Sequence, residues 1–298
     1  MGRLVKAEFR KILTTRLWWA LLIPAVLLAL GWAWGVSALL TGFINDAADE
    51  EIFTDLDIHF DALSWSSIAL TRSMNIATVF PMVFGALALA SEISRKTITT
   101  SFLTAPNRPS LLGAKAVTYV LWGLLYGAVV AGAASIGVLI GSDSKYLPEA
   151  GDWILILLSG ILACLLWTLL GMGVGALLGS PVGTLVLLLI YALVVGPLSE
   201  IILTGVTNGS HVAGFMPNGS ANGLTGSTAS LLLLDQLQQI APGRPIPDDV
   251  RDGFEQFLRA LTGAPGAFAL WISGLIFVAW TMLFFVTGVA RNQRRDIT

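Results

Sequence analysis

The chain carries few residues that could perform chemistry, and their spacing suits binding or docking more than catalysis. Its two histidines, His59 and His211, lie far apart, and the single cysteine, Cys164, lies inside a long apolar run. The sequence has no Ser/His/Asp or Cys/His arrangement and no group of metal ligands. The phosphate-binding pattern G-x-x-x-x-G-K-[ST] is also absent. We therefore do not expect the chain itself to be an enzyme or to hold a metal or cofactor.

Two charged residues inside apolar runs are the first candidates for binding chemistry. Arg72 lies one turn into the second run, Asn75 lies one turn deeper, and Glu200 lies near the outer end of the fifth. Ionisable residues in a bilayer are costly, so they pair with each other, face water or line a ligand path. Both charges are close to the interface, where the cost is lower. We favour a structural pair or snorkelling over substrate recognition in a vestibule, and both interpretations stay open.

A basic stretch between the second and third apolar runs, residues 91–110, is the second candidate. It contains, in order, Glu92, Arg95, Lys96, Thr97, Ile98, Phe102, Leu103, Pro106 and Arg108. The pattern predicts a short helix followed by a turn that ends at the proline, with its apolar residues on one face. That arrangement would leave Glu92 and the basic residues free for a protein surface. The plainer interpretation is a basic, solvated loop.

Six long apolar runs must position these groups. They lie at about 17–40, 67–90, 111–140, 154–178, 184–203 and 268–290. Each reaches the roughly 20 residues with which an α-helix crosses a hydrocarbon core of about 30 Å. The first run is too long for the core of a cleaved signal peptide, so we expect it to be retained. The sequence predicts an all-α integral membrane protein with six transmembrane helices in a single domain, residues 1–298.

The basic residues fall mostly on one side of the topology that six spans imply. If the N-terminus is cytoplasmic, twelve of the 17 lie in inner segments and four in outer ones. The twelve are Arg3, Lys6, Arg10, Lys11, Arg16, Arg95, Lys96, Arg108, Lys115, Arg291, Arg294 and Arg295. The positive-inside bias then predicts a multi-pass protein of the cell membrane with both termini in the cytoplasm. The lipid bilayer is the first expected partner, and no nucleic-acid partner is indicated.

Residues 1–16 predict an amphipathic helix that lies along the inner leaflet. Val5, Phe9, Ile12 and Leu13 fall on one arc of a helical projection, and basic residues, Arg10 among them, occupy the rest. The functional interpretation is an interfacial docking helix. A basic flank with accidental periodicity is the plainer alternative, because such flanks are common before a first span.

The chain is expected to stay on the outer side from about 205 to 266, in a region with two short helix candidates. The first, 228–240, is too short to cross a membrane and is expected to dip into the outer leaflet or to cap the bundle. The second follows Pro247 and ends at Gly263, with a stripe of apolar residues at helical spacing. The stripe contains Phe254, Phe257, Leu258 and Leu261. Two interpretations of this helix stay open. It is either a lid over an outward-facing exit or an outer cap with only a structural role.

Small residues recur at four-residue spacing within the runs, as in membrane helices that approach each other closely. The pairs are Gly31/Gly35, Gly123/Gly127, Gly137/Gly141 and Gly171/Gly175/Gly179. Packing within one subunit is the main interpretation of these glycines.

The basic amphipathic start ending in Thr14-Thr15-Arg16, the six spans and the loop after the second span together resemble the membrane subunits of type 2 ABC exporters. In that family the loop often has the form Glu-aromatic-Arg-x-Gly-Thr-Ile, followed by a proline and a basic residue. The matching residues here are Glu92, Arg95, Thr97, Ile98, Pro106, Arg108 and Lys115. Ile93 replaces the usual aromatic residue, and Lys96 stands where glycine is common.

The resemblance implies a permease subunit whose loop at residues 91–110 is a coupling helix pressed into a cytoplasmic ABC ATPase. Two ATPase copies would bind ATP and Mg, and a second membrane subunit, identical or related, would complete the path. By the same analogy Gly31 and Gly35 are candidates for the subunit interface. The implied activity is export of an amphipathic or hydrophobic substrate, such as a drug, lipid or peptide, with multidrug resistance as one outcome.

Two alternatives from other classes stay open. One is an ATP-independent transporter, although such proteins usually place ionisable groups near the midplane and contain internal repeats, and the sequence has neither feature. The other is a scaffold or resistance protein that transports nothing.

Overall fold

The computed structural model of the chain describes residues 2–48, 63–98, 107–240 and 248–294. Within these ranges the protein is helical apart from short connections, and it has no strand. Six helical segments are long and apolar enough to cross a membrane: Leu17–Asp46, Ser66–Ser94, Arg108–Gly141, Ala150–Leu178, Pro181–Val206 and Leu270–Asn292. The predicted all-α, six-span architecture is confirmed, and the chain has the form of a multi-pass membrane protein.

Eleven α-helices are present in the part of the chain that the structure describes. In chain order they are α1 (Gly2–Thr14), α2 (Leu17–Ala48), α3 (Ser66–Ala77), α4 (Val79–Ser94), α5 (Arg108–Gly141), α6 (Ala150–Leu178), α7 (Pro181–Ile190), α8 (Gly196–Val206), α9 (Pro217–Ile240), α10 (Asp248–Thr262) and α11 (Leu270–Arg294). The spans are α2, α3–α4, α5, α6, α7–α8 and α11. The ends of α4 and α5 that meet α1 define the α1 side of the bundle, and α10 lies on the opposite, α10 side.

Two of the spans are interrupted where a proline disturbs the backbone ladder. Pro81 has no N–H to offer the carbonyl of Ala77, and the helix breaks at Thr78 between α3 and α4. In the fifth span a π-helical turn, Tyr191–Val195, joins α7 to α8 just before Pro197. Both interruptions lie in spans that line the cleft described below.

Glycines let α6 sit against its neighbours at the centre of the bundle. Gly171 and Gly175 of α6 lie directly against the backbone of α4, and Gly123 and Gly127 of α5 lie against the backbone of α6. The interpretation of these pairs as packing within one subunit is confirmed. Gly31 on α2, in contrast, faces open space.

Helix α9 differs most from its prediction. The expected 13-residue helix at 228–240 is instead the 24-residue helix Pro217–Ile240, which packs against α6, α11 and α3. Pro217, its first residue, lies beside Leu170, Leu188 and Phe284, which are well inside their spans. The predicted length and start were therefore wrong, because the helix begins at Pro217, eleven residues before the expected start at 228. The first half of α9 is rich in Gly, Ser, Thr and Asn, which resembles a loop by composition but suits close helix packing.

The hydroxyl groups of α9 are satisfied mostly within the helix itself. Ser220 donates to the carbonyl of Pro217 at 3.1 Å, and Ser230 donates to that of Ser227 at 3.0 Å. Such bonds to the preceding turn satisfy a hydroxyl that has no access to water. They explain how a helix of low hydrophobicity lies inside an apolar bundle.

Helix α10 covers the bundle on the α10 side and ends where predicted. Gly263 has φ +84°, the left-handed conformation that glycine adopts easily at a helix end. Leu258 is 1% exposed, and Phe254 and Leu261 pack partly buried against the same apolar cluster. Phe257 is 53% exposed. The predicted apolar stripe of α10 therefore packs against the bundle, with the exception of Phe257.

The close contact of α4 and α6 predicts that Gly171→Ala is destabilising. A Cβ at Gly171 would overlap the backbone carbonyl of Met82, which cannot rotate away. Overpacking of this kind costs about 1–3 kcal/mol. We expect a lower midpoint of thermal unfolding for the purified protein. Gly132→Ala in α5, where a Cβ would meet nothing within 4 Å, is the matched control, and an equal loss in both variants would contradict this account.

Helix α10 predicts a difference between two neighbouring side chains. Leu258→Ala removes a buried side chain and should lower the free energy of unfolding by about 2–5 kcal/mol. Phe257→Ala changes a half-exposed side chain, and we expect a loss below about 1 kcal/mol. Thermal unfolding in detergent measures both. If Phe257→Ala were the more damaging variant, the orientation of α10 would be wrong.

Candidate functional site

Four charged side chains meet on the α1 side of the bundle. Lys115 is 1% exposed, and its Nζ donates to Glu8 Oε2 at 2.7 Å and to Glu92 Oε1 at 2.7 Å. Lys11 also donates to Glu92 Oε1. We call Glu8, Lys11, Glu92 and Lys115 the ion cluster. Because it contains two acids and two bases, its formal charge is zero.

The ion cluster joins three helices that are distant in sequence. Glu8 and Lys11 lie one turn apart on α1, Glu92 lies in the last turn of α4, and Lys115 lies in α5. Asn107 caps α5, since its side-chain oxygen accepts from the backbone N–H of Ser110 at 2.8 Å. A buried charge without its partner is strongly destabilising, so the three helices hold one another in place.

An aromatic shell separates the ion cluster from the rest of the bundle. Phe9 of α1 stacks on Trp122 at a centroid distance of 5.6 Å, and Trp18 lies 5.7 Å from the same ring. Tyr126 donates its hydroxyl to the carbonyl of Trp18 at 2.5 Å. Ion pairs are stronger in such apolar surroundings than in water. The shell also covers the apolar stripe of α1.

Lys11 lies at the edge of the ion cluster, and its raised pKa favours the charged form of its pair with Glu92. Burial acts to lower this pKa, but the hydrogen bond from Lys11 to Glu92 and the charges of Glu92 and Glu8 together raise it above its ordinary value. A raised lysine pKa adds stability below the pKa of the unfolded chain. That contribution disappears as the pH rises through the higher folded-state pKa.

The predicted loop divides into a buried and an exposed part. Glu92 is 6% exposed and lies in the ion cluster, so the expectation that it is free for a protein surface was wrong. Ile98 is buried against the same apolar cluster as Ile12. The side chains of Arg95, Lys96 and Thr97 are exposed. Phe102 lies outside the described residues, and Arg108 is half-buried at the start of α5.

Lys96 has φ +58°, a left-handed conformation that glycine adopts more easily than lysine. The chain turns sharply there, directly after the end of α4 at Ser94. The family pattern that this loop resembles commonly has glycine at this position.

The interfacial-helix residues behave as two groups. Ile12 is buried, Val5 and Phe9 are half-buried, and Arg10 is exposed. Leu13 is 53% exposed, so its predicted place on the buried face was wrong. The apolar arc therefore packs on the bundle through Phe9 and Ile12. Glu8 lies on that same arc, one turn from both Val5 and Ile12, and the sequence reasoning missed it. The available signals were an acid on the apolar arc and Lys115 inside an apolar run, since each needs a partner.

The second polar site lies inside the bundle, where the first turns of α9 meet α8. Glu200 is 3% exposed and accepts from Asn218 Nδ2 at 2.6 Å and from Asn222 Nδ2 at 3.2 Å. Arg72 instead points to the end of α10, where its guanidinium donates to the Ala260 carbonyl at 3.4 Å. Arg72 and Glu200 interact as charges without a direct ion pair. The structural pair that we favoured is therefore not formed as a contact.

A cleft of about 300 Å³ opens beside these groups, and we call it the polar cleft. Its polar lining consists of Arg72, Asn75, Thr78, Asn218 and Asn222. Its apolar lining comes from α2, α3–α4, α6 and α7–α8: Trp32, Ile76, Val79, Met82, Trp167, Ala192, Leu193 and Pro197. The side-chain oxygen of Asn75 accepts from the hydroxyl of Thr225 in α9. The cleft thus combines a cation and amide groups with apolar walls.

The buried position of Lys115 predicts that Lys115→Met is strongly destabilising. The change leaves Glu8 and Glu92 buried with like charges and one remaining partner, Lys11. Breaking a buried pair costs about 3–5 kcal/mol. Thermal unfolding of the purified protein is the measurement, with Arg10→Gln on the exposed face of α1 as control. Unfolding of both variants at the wild-type temperature would show that the ion cluster does not hold α1.

No protein-family model matches this chain, and no curated protein matches its sequence. The function must therefore be inferred from the architecture and from the two sites.

Proposed function

We propose that this protein is the permease subunit of an ATP-driven ABC exporter, coupled to a separate cytoplasmic ATPase. The observation that carries the proposal is the ion cluster. It joins α1, α4 and α5 directly beside the exposed residues that begin the loop at Arg95. A partner bound to that loop would contact a rigid unit connected to two spans.

The ion cluster makes this unit suited to transmit force. Separating Lys115 from Glu8 or Glu92 would leave a charge buried and unpaired, which is strongly unfavourable. Displacement of the loop would therefore move α4 and α5 together with α1. The left-handed turn at Lys96 supports the same function, because it leaves Arg95, Lys96 and Thr97 exposed at the end of α4, where a cytoplasmic partner would contact them.

A second membrane subunit is part of the proposal. The spans α2 and α7–α8 are the least buried of the six, and Gly31 and Gly35 face open space. Small residues on an uncovered helix face are typical of helix pairing in membranes. We propose that an identical or related subunit pairs through the Gly31/Gly35 face of α2. ATP and Mg would be bound by two ATPase copies on the cytoplasmic side, where the positive-inside bias predicts both termini of a cell-membrane protein.

Charge reversal at Arg95 and Lys96 tests the proposal. Both side chains are exposed and lie outside the ion cluster, so Arg95→Glu with Lys96→Glu should leave folding unchanged. Like charges across an interface cost several kcal/mol. We expect the amount of ATPase subunit that co-purifies from native membranes to fall by about tenfold or more, with loss of the ATPase activity of the eluate.

Arg251→Glu, an exposed reversal on α10, is the control. It should leave the co-purifying ATPase unchanged. If no ATPase co-purifies with the wild-type protein under several gentle extractions, the exporter proposal is wrong. The protein is then an ATP-independent transporter or a scaffold. If the ATPase is present and unaffected by the double reversal, the loop is not its docking site.

A further inference from the structure

The polar cleft contains a buried hydrogen-bond donor that has no partner. Asn75 uses its side-chain oxygen to accept from Thr225, which orients the amide so that Nδ2 is the remaining group. That nitrogen is buried and makes no hydrogen bond within the described part of the chain. An unpaired donor inside a protein is unfavourable and usually indicates a water, an ion or a ligand. The missing partner must be an acceptor.

Arg72 supplies the charge beside this donor. A guanidinium has five N–H groups, and the hydrogen bond of Arg72 to the Ala260 carbonyl uses one of them at a long 3.4 Å. The nearest opposite charge, Glu200, is engaged by Asn218 and Asn222 behind the cleft wall. The cleft therefore presents a cation and an amide donor on the same side. This combination favours an anion with several acceptor oxygens.

The depth of the cleft suits the headgroup of a membrane amphiphile. The span Ser66–Ser94 has 29 residues, or about 43 Å of helix, and exceeds a hydrocarbon core of about 30 Å by about 6 Å at each end. Arg72 lies about 9 Å along the helix from Ser66, which places it near the edge of that core. A headgroup in the leaflet on the α10 side can reach it.

The walls of the cleft suit the tails of the same molecule. Trp32 of α2 is 42% exposed and Leu193 of the π-helical turn is 56% exposed, so the apolar walls continue onto the outer face of the bundle. A volume of about 300 Å³ is too small for a whole lipid. It can hold a headgroup while the acyl chains extend along α2 and α7.

We propose that the polar cleft binds the anionic headgroup of an amphiphile, a phosphate or carboxylate group held by Arg72 and Asn75, from the leaflet on the α10 side. A cationic headgroup would be repelled by Arg72. Binding to the cleft needs no ATPase, so this proposal and the proposed export function can fail separately. If the bound amphiphile is also the transported substrate, that additional role depends on the proposed function.

Lipid binding to the purified full-length protein tests the site. Native mass spectrometry would compare titrations with phosphatidylglycerol and phosphatidylcholine that carry the same acyl chains. We expect phosphatidylglycerol to bind about tenfold more tightly to the wild type, the effect of one charge-assisted contact. Arg72→Gln should abolish this preference. Arg251→Gln, an exposed change on α10, is the matched control and should preserve it.

A second variant separates binding from folding. Arg72 also contacts the end of α10, so a loss in Arg72→Gln could reflect a displaced helix. Asn75→Asp leaves Arg72 intact, nearly preserves the side-chain shape and replaces the amide donor by a carboxylate. It should reduce phosphatidylglycerol binding by about tenfold, because a second negative charge now faces the headgroup.

Each other outcome overturns a named part of the proposal. Equal binding of both lipids to the wild type removes the preference for an anion. Unchanged phosphatidylglycerol binding in Asn75→Asp, or an equal loss in Arg251→Gln, places the lipid elsewhere. Inorganic phosphate should not displace the lipid at the same free concentration. If it does, the site binds a free anion and not an amphiphile.

Discussion

The ion cluster is the interaction on which the α1 side of this protein depends. Three of its groups, on Glu8, Glu92 and Lys115, are buried, and Lys11 pairs with Glu92 at the exposed edge, so each buried charge has a partner. Lys115 is the central group because it donates to both acids. The position of α1, the end of α4 and the start of α5 follow from this one set of contacts. An amphipathic helix of the kind that rests on a bilayer is thereby fixed to the bundle.

Inside the bundle the comparable constraint is the buried end of α9. Its small residues allow close approach to α6 and α11, and its first turns surround the carboxylate of Glu200 with asparagine amides. A negative charge at the N-terminus of a helix is also favoured by the helix dipole. Asn222 of α9 faces the polar cleft, and Thr225 orients Asn75 across it. The cleft therefore exists because α9 enters the bundle.

The two sites share one span. Glu92 lies at the α1 end of α3–α4, and Arg72 and Asn75 lie toward its other end. The break at Thr78, next to Pro81, separates them. If the protein is an exporter, this span connects the α1 side, where the ATPase would dock, with the polar cleft. The helix break at Thr78 lies between the two. The glycine contacts between α4 and α6 make this connection rigid on the α1 side of the break.

Local composition was sufficient for much of the architecture. Runs of apolar residues determine which segments are spans, because a helix must satisfy its backbone and cover about 30 Å of hydrocarbon. The end of α10 was predictable because Gly263 supplies the left-handed conformation that ends a helix.

Tertiary structure decided which charges meet and how deep each helix lies. Glu8 and Lys115 are 107 positions apart, and no local pattern indicates that they pair. The first half of α9 is too polar to be recognised as a buried helix, yet Ser220, like Ser230 further along, donates its hydroxyl to a carbonyl of the same helix once it is inside. Hydropathy sums the preferences of neighbours along the chain. The partner that satisfies a buried polar group comes from another helix, so only the folded structure identifies it.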